Sequence, residues 1–386
     1  MAMAKDAEGV EGRVYRRTLF FIGGFDPRGP RAIHRIWTEQ AGPQAQVSGG
    51  TITVSGLTSL DDLRASCLIA VSRHGARSCT EVVQLRWDDL VRQWWRRGPW
   101  SLMASIPVWF WRLLRRGLYG LTRRQARPMF LSLILPPMVL AVMAATGLML
   151  AALAGLAHPL VGLGVLGLML GIAPLVWRWL DRRVGLSWLT QCLHYMGFGG
   201  ARNLPERTER AERFARDLIE VLDRADVDEV AVLGFSLGAN EAVRVVGLAL
   251  EQRPDLGQGR VPLSVILMGQ LCGPYGLGGG DEGFSQARHR LAEARAIRLI
   301  NVTSASDPAS GCTISPLHGM EGAFPDRVTD CRPRFHKLLT PERFAAIRRD
   351  PLAFHFQYLH ATDVAGDYDF FGLTCGPSPL SQTRAA

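Results

Sequence analysis

Residues 234–238 read Gly-Phe-Ser-Leu-Gly, a G-x-S-x-G pentapeptide whose meaning depends on what flanks it. Before it stands D-E-V-A-V-L, an apolar run that predicts a strand over Glu229–Leu233. After it stands L-G-A-N-E-A-V-R-V-V, which predicts a helix over Leu237–Leu250. A serine at such a junction sits on a tight turn, its hydroxyl raised above the sheet edge and faced by a helix N-terminus. The flanking glycines remove side chains that would clash there. A hydroxyl is a poor nucleophile until a base takes its proton, and an imidazole backed by a carboxylate can do so. The chemistry indicated is nucleophilic acyl transfer through Ser236. An ordinary helix cap with chance glycines is the bland alternative.

The elements that must position this serine alternate along the chain. Thr18–Ile22 (T-L-F-F-I) predicts a strand ending in the glycine-rich loop G-G-F-D-P-R-G, with a helix from Ala32. Cys67–Val71 and Glu81–Leu85 predict two more strands. Pro205 to Leu222 reads as a charged amphipathic helix, spaced by Phe214, Leu218, Ile219 and Leu222. Strands are predicted at Leu263–Met268, Ile297–Val302 and Phe354–Leu359, with helices over about 285–296 and 341–348 between them. The glycine cluster at 276–283 reads as a surface loop. Such alternation points to a mainly parallel sheet covered on both faces.

Here the sequence resembles the α/β-hydrolase superfamily, over about 15–90 and 205–375. The resemblance implies a three-layer α/β-hydrolase fold in which the elbow follows the fifth strand, the acid the seventh and the histidine the eighth. With Ser236 on the elbow, Ile297–Val302 becomes the seventh strand, and the loop T-S-A-S-D-P after it presents Asp307. Phe354–Leu359 becomes the eighth, with His360 at its end. The order Ser, Asp, His agrees with the family. Asp281, after the sixth strand, is the alternative acid. His318 and His355 are the alternative bases; five positions before His360 on a strand, His355 is expected inside the sheet on the opposite face. The oxyanion hole needs two backbone N–H groups. Leu237 is expected to supply one and Phe25, with Gly24 next, the other; Asp26 and Arg28 are expected to pair or shape the mouth. Arg73-His74-Gly75 is similar to the R-H-G signature of histidine phosphatases, but no clear strand precedes a second histidine that would complete such a site. A loop between two central strands is the simpler reading.

From Met129 to Trp177 there are 49 consecutive residues without Asp, Glu, Lys or Arg. About 20 apolar residues suffice to cross a bilayer as a helix. Two spans are predicted, about 130–153 and 160–180, turning at G-L-A-H-P (Gly155–Pro159). Pro136-Pro137 leaves open a hairpin that dips into one leaflet and returns. Nine arginines (92, 96, 97, 112, 115, 116, 123, 124, 127) and no acidic residue lie between Val91 and Pro128, and Arg178, Arg182 and Arg183 follow the second span. Positive charge at both ends predicts a cytoplasmic location for the flanking parts, at an inner or cytoplasmic membrane. Trp94, Trp95, Trp100, Trp109 and Trp111 interleave with these arginines, which suits a helix in the headgroup layer. Arg112, Arg115 and Arg116 are the residues expected to meet anionic headgroups. Nothing at the N-terminus resembles a signal peptide.

The composition fits this division. The 386 residues are near the upper limit for one core, and an apolar share of 47% excludes a mostly disordered chain. Lipid contact accounts for most of the excess behind the formal charge of +9, so a nucleic-acid partner is not expected. Seven cysteines without a C-x-x-C pair signal neither a disulfide framework nor a zinc site. No metal or other cofactor is called for. The organisation read from sequence is a first hydrolase part over 13–90, an inserted membrane module over 91–200 and a second hydrolase part over 201–377. The function expected is an integral membrane serine hydrolase cleaving an ester or related acyl bond in a lipid or lipid-like amphiphile. An acyltransferase using the same residues is the first alternative; a non-catalytic membrane scaffold is the second. Headgroup, chain length and oligomeric state are not encoded in these motifs.

Overall fold

The computed structural model describes residues 13–96, 98–198, 204–277, 281–324 and 326–383. Strand β1 (Tyr15–Ile22) leads to helix α1 (Pro30–Ser48), the short strands β2 (Thr51–Val54) and β3 (Thr58–Ser59), and the hairpin of β4 (Arg64–Arg73) and β5 (Ala76–Leu85). Helices α2 (Asp88–Trp94), α3 (Pro99–Arg115), α4 (Leu118–Gln125), α5 (Arg127–Gly155), α6 (Pro159–Val184) and α7 (Leu186–Phe198) then intervene. The α/β pattern resumes with α8 (Leu204–Arg224), β6 (Glu229–Phe235), α9 (Gly238–Gln252), β7 (Leu263–Met268), α10 (Cys272–Leu277), α11 (Glu282–Glu293) and β8 (Arg298–Val302). It ends with β9 (Val328–Cys331), α12 (Phe335–Leu338), α13 (Pro341–Ile347), α14 (Pro351–Phe356) and α15 (Phe370–Cys375).

Among the described residues the strands form one sheet in the order β2-β4-β5-β1-β6-β7-β8-β9, with β3 paired to β4. From β5 to β9 neighbours run parallel, while β4 and β2 are antiparallel. The fold is therefore mixed α/β with a mostly parallel central sheet. Parallel strands buried on both faces read as continuous apolar runs, and T-L-F-F-I does. Phe20 and Ile22 enter the core on one face; Leu19 and Phe21 enter the core on the other. Arg17 stands opposite Glu229 in the β1–β6 register, and the two side chains form a buried ion pair at 2.8 Å. Arg17 also donates to the carbonyls of Thr374, Gly376 and Ser378, so its charge is fully partnered at the end of the sheet away from the elbow.

Two local expectations are corrected here. Phe354–Leu359 is not a strand: Phe354–Phe356 closes α14 and Gln357–Leu359 is a turn of 3-10 helix. Asp350 caps α14 by accepting from the N–H groups of Leu352 and Ala353, and Pro351 occupies its first position. An apolar run this short fits a buried helix as well as a strand, and the cap decides. The last parallel strand is β9, whose V-T-D-C carries little apolar signal. Arg73-His74-Gly75-Ala76 is a loop between two strands, as expected: the tight turn of the antiparallel β4–β5 hairpin, with both central residues at positive φ (51° and 79°). The glycine cluster is split: Gly276 lies in α10 and Gly283 in α11, while 278–280 fall outside the described residues.

Helices α5 and α6 are long and apolar enough to cross a membrane. At 1.5 Å per residue α5 extends about 44 Å and α6 about 39 Å, more than the roughly 30 Å of hydrocarbon. Helix α5 continues through Pro136-Pro137 without a break. The two helices meet through glycine: a Cβ at Gly162 would lie 2.9 Å from the Cα of Gly155. His158 caps α6 by accepting from the Leu160 N–H. Most of the hairpin surface is uncovered apolar side chain, Leu160 being 69% exposed. An exposed apolar surface this large marks a membrane or protein contact.

The rest of the module joins the main core. Helix α3 turns Leu102, Met103, Ile106, Trp109 and Leu113 inward, in one cluster with Phe20, Val83 and Leu189. Its opposite face exposes Trp100, Trp111 and Leu114 with Arg112 and Arg115. The interleaved tryptophans thus divide: Trp94 and Trp109 are core, whereas Trp100 and Trp111 face out. Arg97 lies outside the described residues.

Candidate active site

The pentapeptide bends where its glycines allow. A Cβ at Gly234 would lie 2.4 Å from the Cα of Ala239, and one at Gly238 2.2 Å from the Gly23 carbonyl oxygen. Between them Ser236 adopts φ 57°, a left-handed conformation that a non-glycine residue avoids unless its surroundings impose it. Its N–H donates to the Met268 carbonyl (2.8 Å), and its own carbonyl accepts from Ala239 as α9 begins. The side chain is almost wholly buried at the C-terminal edge of the parallel strands, where open α/β sheets place their ligands.

Because β1 and β6 are parallel neighbours, the loop after Ile22 lies beside the elbow. A Cβ at Gly24 would come within 3.0 Å of the Ser236 Cβ. The loop is fixed by Trp87, whose Nε1–H donates to the Gly23 carbonyl (2.8 Å), and by the buried Phe25 ring. That ring packs against Trp95 at 5.9 Å and Tyr195 at 4.8 Å. Among the described residues no backbone acceptor engages the N–H of Phe25 or of Leu237. Leu237 follows Ser236 in the chain, and Phe25 follows Gly24, which lies against the Ser236 Cβ. Arg28 and Asp26 form the expected pair, Nη2 to Oδ2 at 2.6 Å.

The loop after β8 carries Asp307, which is fully buried. Its Oδ1 accepts from the Ala309 N–H (2.9 Å). Its Oδ2 lies 2.8 Å from Nδ1 of His355, which is equally buried. Tyr358 stands behind: its hydroxyl accepts from the Ser304 N–H (2.7 Å). Burial, with the charge of Asp307 adding to it, holds this phenol far above its ordinary pKa, so it stays a donor.

His360 is not the histidine on Asp307. Its Nδ1 contacts the Phe356 carbonyl oxygen (2.7 Å), and burial holds its pKa below the ordinary value. The imidazole on Asp307 is that of His355, on α14 rather than on a strand. Its ring stacks on Phe235, the residue before the serine, at 5.0 Å and 27°, and faces Trp188 at 5.9 Å. A Cβ on Gly269, next to the Met268 that binds the Ser236 N–H, would lie 2.9 Å from His355 Cε1. Among the described residues the Nε2 of His355 has no hydrogen-bond partner. His318 instead pairs with Glu321 (3.2 Å), and Asp281 caps α11 while bound by both Nη atoms of Arg244 (2.9 and 2.6 Å). The sequence signal for His355 was Asp350-Pro351, a helix start that turns the following histidine off the strand register.

A buried imidazole with a carboxylate on Nδ1 and a vacant Nε2, near a strained serine, is an arrangement able to accept a hydroxyl proton. Comparison with protein-family models, curated proteins and solved structures gave no match, so this constellation rests on its own geometry.

Proposed function

We propose that this protein is a membrane-anchored serine hydrolase that cleaves an ester or related acyl bond in a lipid or lipid-like amphiphile. The observation that carries the reading is the Asp307–His355 pair, buried beside a serine held at φ 57° on a strand-to-helix turn. Strand count supports the α/β-hydrolase resemblance. With the two-residue β3 set aside, the elbow follows the fifth strand, Asp307 the seventh and His355 the eighth. Long apolar helices in the same chain support a substrate that partitions into a bilayer.

In this mechanism the Ser236 Oγ attacks the carbonyl carbon as its proton passes to Nε2 of His355. Asp307 holds the imidazole in the required tautomer and stabilises the imidazolium. The N–H groups of Phe25 and Leu237 stabilise the negative charge developing on the carbonyl oxygen. Collapse returns the proton to the leaving alkoxide and leaves an acyl-enzyme, which water hydrolyses by the same route. The soluble parts face the cytoplasm in this reading, on the strength of the arginines at both ends of the hairpin.

A fluorophosphonate probe tests it. Wild-type protein in detergent or bilayer should be labelled at Ser236, and Ser236→Ala and His355→Ala should abolish labelling. A Ser236→Ala protein that still hydrolyses esters would overturn the proposal.

A further inference from the structure

A narrow cavity opens directly beside Ser236. One wall is the start of the first apolar helix, through Met129, Ser132 and Leu133 of α5. The facing wall is α7, through Leu189, Leu193 and Met196, and Pro308 and Ala309 from the Asp307 loop close the end. Apart from Ser132 and Ser236, the side chains around it are apolar. Leu131, two residues from Met129 and Leu133, is 61% exposed on the outer surface of the same helix. The first turns of α5 therefore separate the cavity from the zone the hairpin would hold in lipid. The acid loop is also tied to the end of α4, just before α5 begins: the Thr313 hydroxyl donates to the Gln125 carbonyl.

We propose that this cavity is the acyl site, and that α5 serves both as anchor and as the wall that sets acyl length. The occupant is one straight hydrocarbon chain whose carbonyl carbon meets Ser236 and whose tail runs between α5 and α7. Continuity argues for this occupant: the cavity begins at the nucleophile, is apolar and has a bilayer-exposed helix for its wall. An amphiphile resting in the bilayer reaches Ser236 along α5 without its chain crossing water. The inference rests on the serine-hydrolase reading and goes beyond it in assigning the substrate's chain to named residues.

The first measurement uses unaltered protein. An alkyl fluorophosphonate carrying a photoreactive diazirine at the tail end is allowed to react: the Oγ–P bond forms, the P–F bond breaks, fluoride leaves and the serine proton passes to His355. Illumination should then crosslink the tail to peptides containing Met129–Leu133 or Leu189–Met196. Labelled Ser236 with crosslinks only elsewhere would overturn the acyl-site proposal, whereas no labelling at Ser236 would overturn the hydrolase reading beneath it. A second measurement is a series of linear esters. The specificity constant should climb about fourfold per added methylene until the cavity fills. Leu133→Trp and Leu193→Trp should lower the ratio of long-ester to acetate turnover at least tenfold, and Leu153→Trp, on the exposed far end of α5, should leave that ratio as it was. An unchanged ratio in both cavity variants, with Ser236 still required, would sink the acyl site alone.

Discussion

Nδ1 of His355 lies 2.8 Å from Oδ2 of Asp307, and neither side chain reaches solvent. Burying an imidazole and a carboxylate is unfavourable unless each finds partners. Asp307 has them in the Ala309 N–H and in His355 itself. His355 has one on Nδ1 and none on Nε2 among the described residues. A purely structural histidine would be expected to use both nitrogens, so the vacant one is the atom that points toward chemistry.

Replacing His355 with alanine should therefore lower turnover of an activated ester by several orders of magnitude, with folding retained. His360→Ala should stay within about tenfold of wild type. Combining Ser236→Ala with His355→Ala should cost little more than either change alone, because the two act as a unit. Steady-state rates on the three variants settle it; loss at His360 with activity kept at His355 would reverse the assignment.

Asp307 and Tyr358 separate two kinds of contribution. Asp307→Asn preserves shape but disturbs the tautomer, and kcat should fall by about 10⁴. Tyr358→Phe leaves the buried Ser304 N–H without its acceptor, at about 1–3 kcal/mol of stability. Denaturant unfolding beside kinetics checks the split. Asp307→Asn should move rate more than stability, and Tyr358→Phe should move stability more than rate.

The parts of the fold legible in the sequence were those with a single physical explanation. T-L-F-F-I and V-A-V-L can satisfy their apolar side chains on both faces only as central strands. Ser236 was legible because strand, glycines and helix converge on it. The histidine was not: F-H-F-Q-Y-L fits either element, and the deciding cap at Asp350 lies before the run rather than in it. Nor could β9 be seen, since V-T-D-C is short and its position depends on pairing with β8. The cavity was invisible for another reason: it joins Met129, Leu193 and Ser236, residues far apart in the chain.

Burial lowers the pKa of His360 below its ordinary value of about 6.5. A depressed histidine gives stability that is complete above the unfolded pKa and is lost as pH falls through the folded value, because the unfolded chain binds the proton more readily. Stability should therefore decline below about pH 6.5, with His360 contributing at most about 1.4 kcal/mol per pH unit. His360→Gln should flatten that part of the curve. Chemical denaturation from pH 7.5 to 5 measures it, and parallel curves for the two proteins would exclude the contribution.

Arg112 and Arg115 lie on the exposed face of α3, and Arg116 caps its end. The Arg112 guanidinium sits over the Phe198 ring at 4.0 Å, and Arg116 shares its end of the helix with Arg112. Changing all three to glutamine should weaken contact with anionic vesicles by about 1 kcal/mol per charge, on the order of a hundredfold together. Activity on lipid in such vesicles should fall, and turnover of a small soluble ester should change far less. Equal losses on both substrates would mean that these arginines support the fold.

The turn between α5 and α6 gives the most direct test of how the protein sits in a membrane. Leu156–His158 joins two helices, each long enough to span the roughly 30 Å of hydrocarbon, whose exposed surface is rich in leucine, valine and methionine. Arginine stands at the outer ends of the pair, at 123, 124 and 127 on one side and at 178, 182 and 183 on the other. Arginine resists transfer across the membrane, so both outer ends should remain on the cytoplasmic side while the turn crosses. A single cysteine introduced at His158 should accordingly react with a membrane-impermeant maleimide added from the side opposite the cytoplasm. A cysteine at Arg77, beside the β4–β5 turn, should react only from the cytoplasmic side. Pro136 and Pro137 do not interrupt α5, which favours full crossing over a hairpin that dips and returns. If the cysteine at 158 reacts from the cytoplasmic side alone, the helices do not cross, and substrate would have to reach Ser236 from one leaflet only.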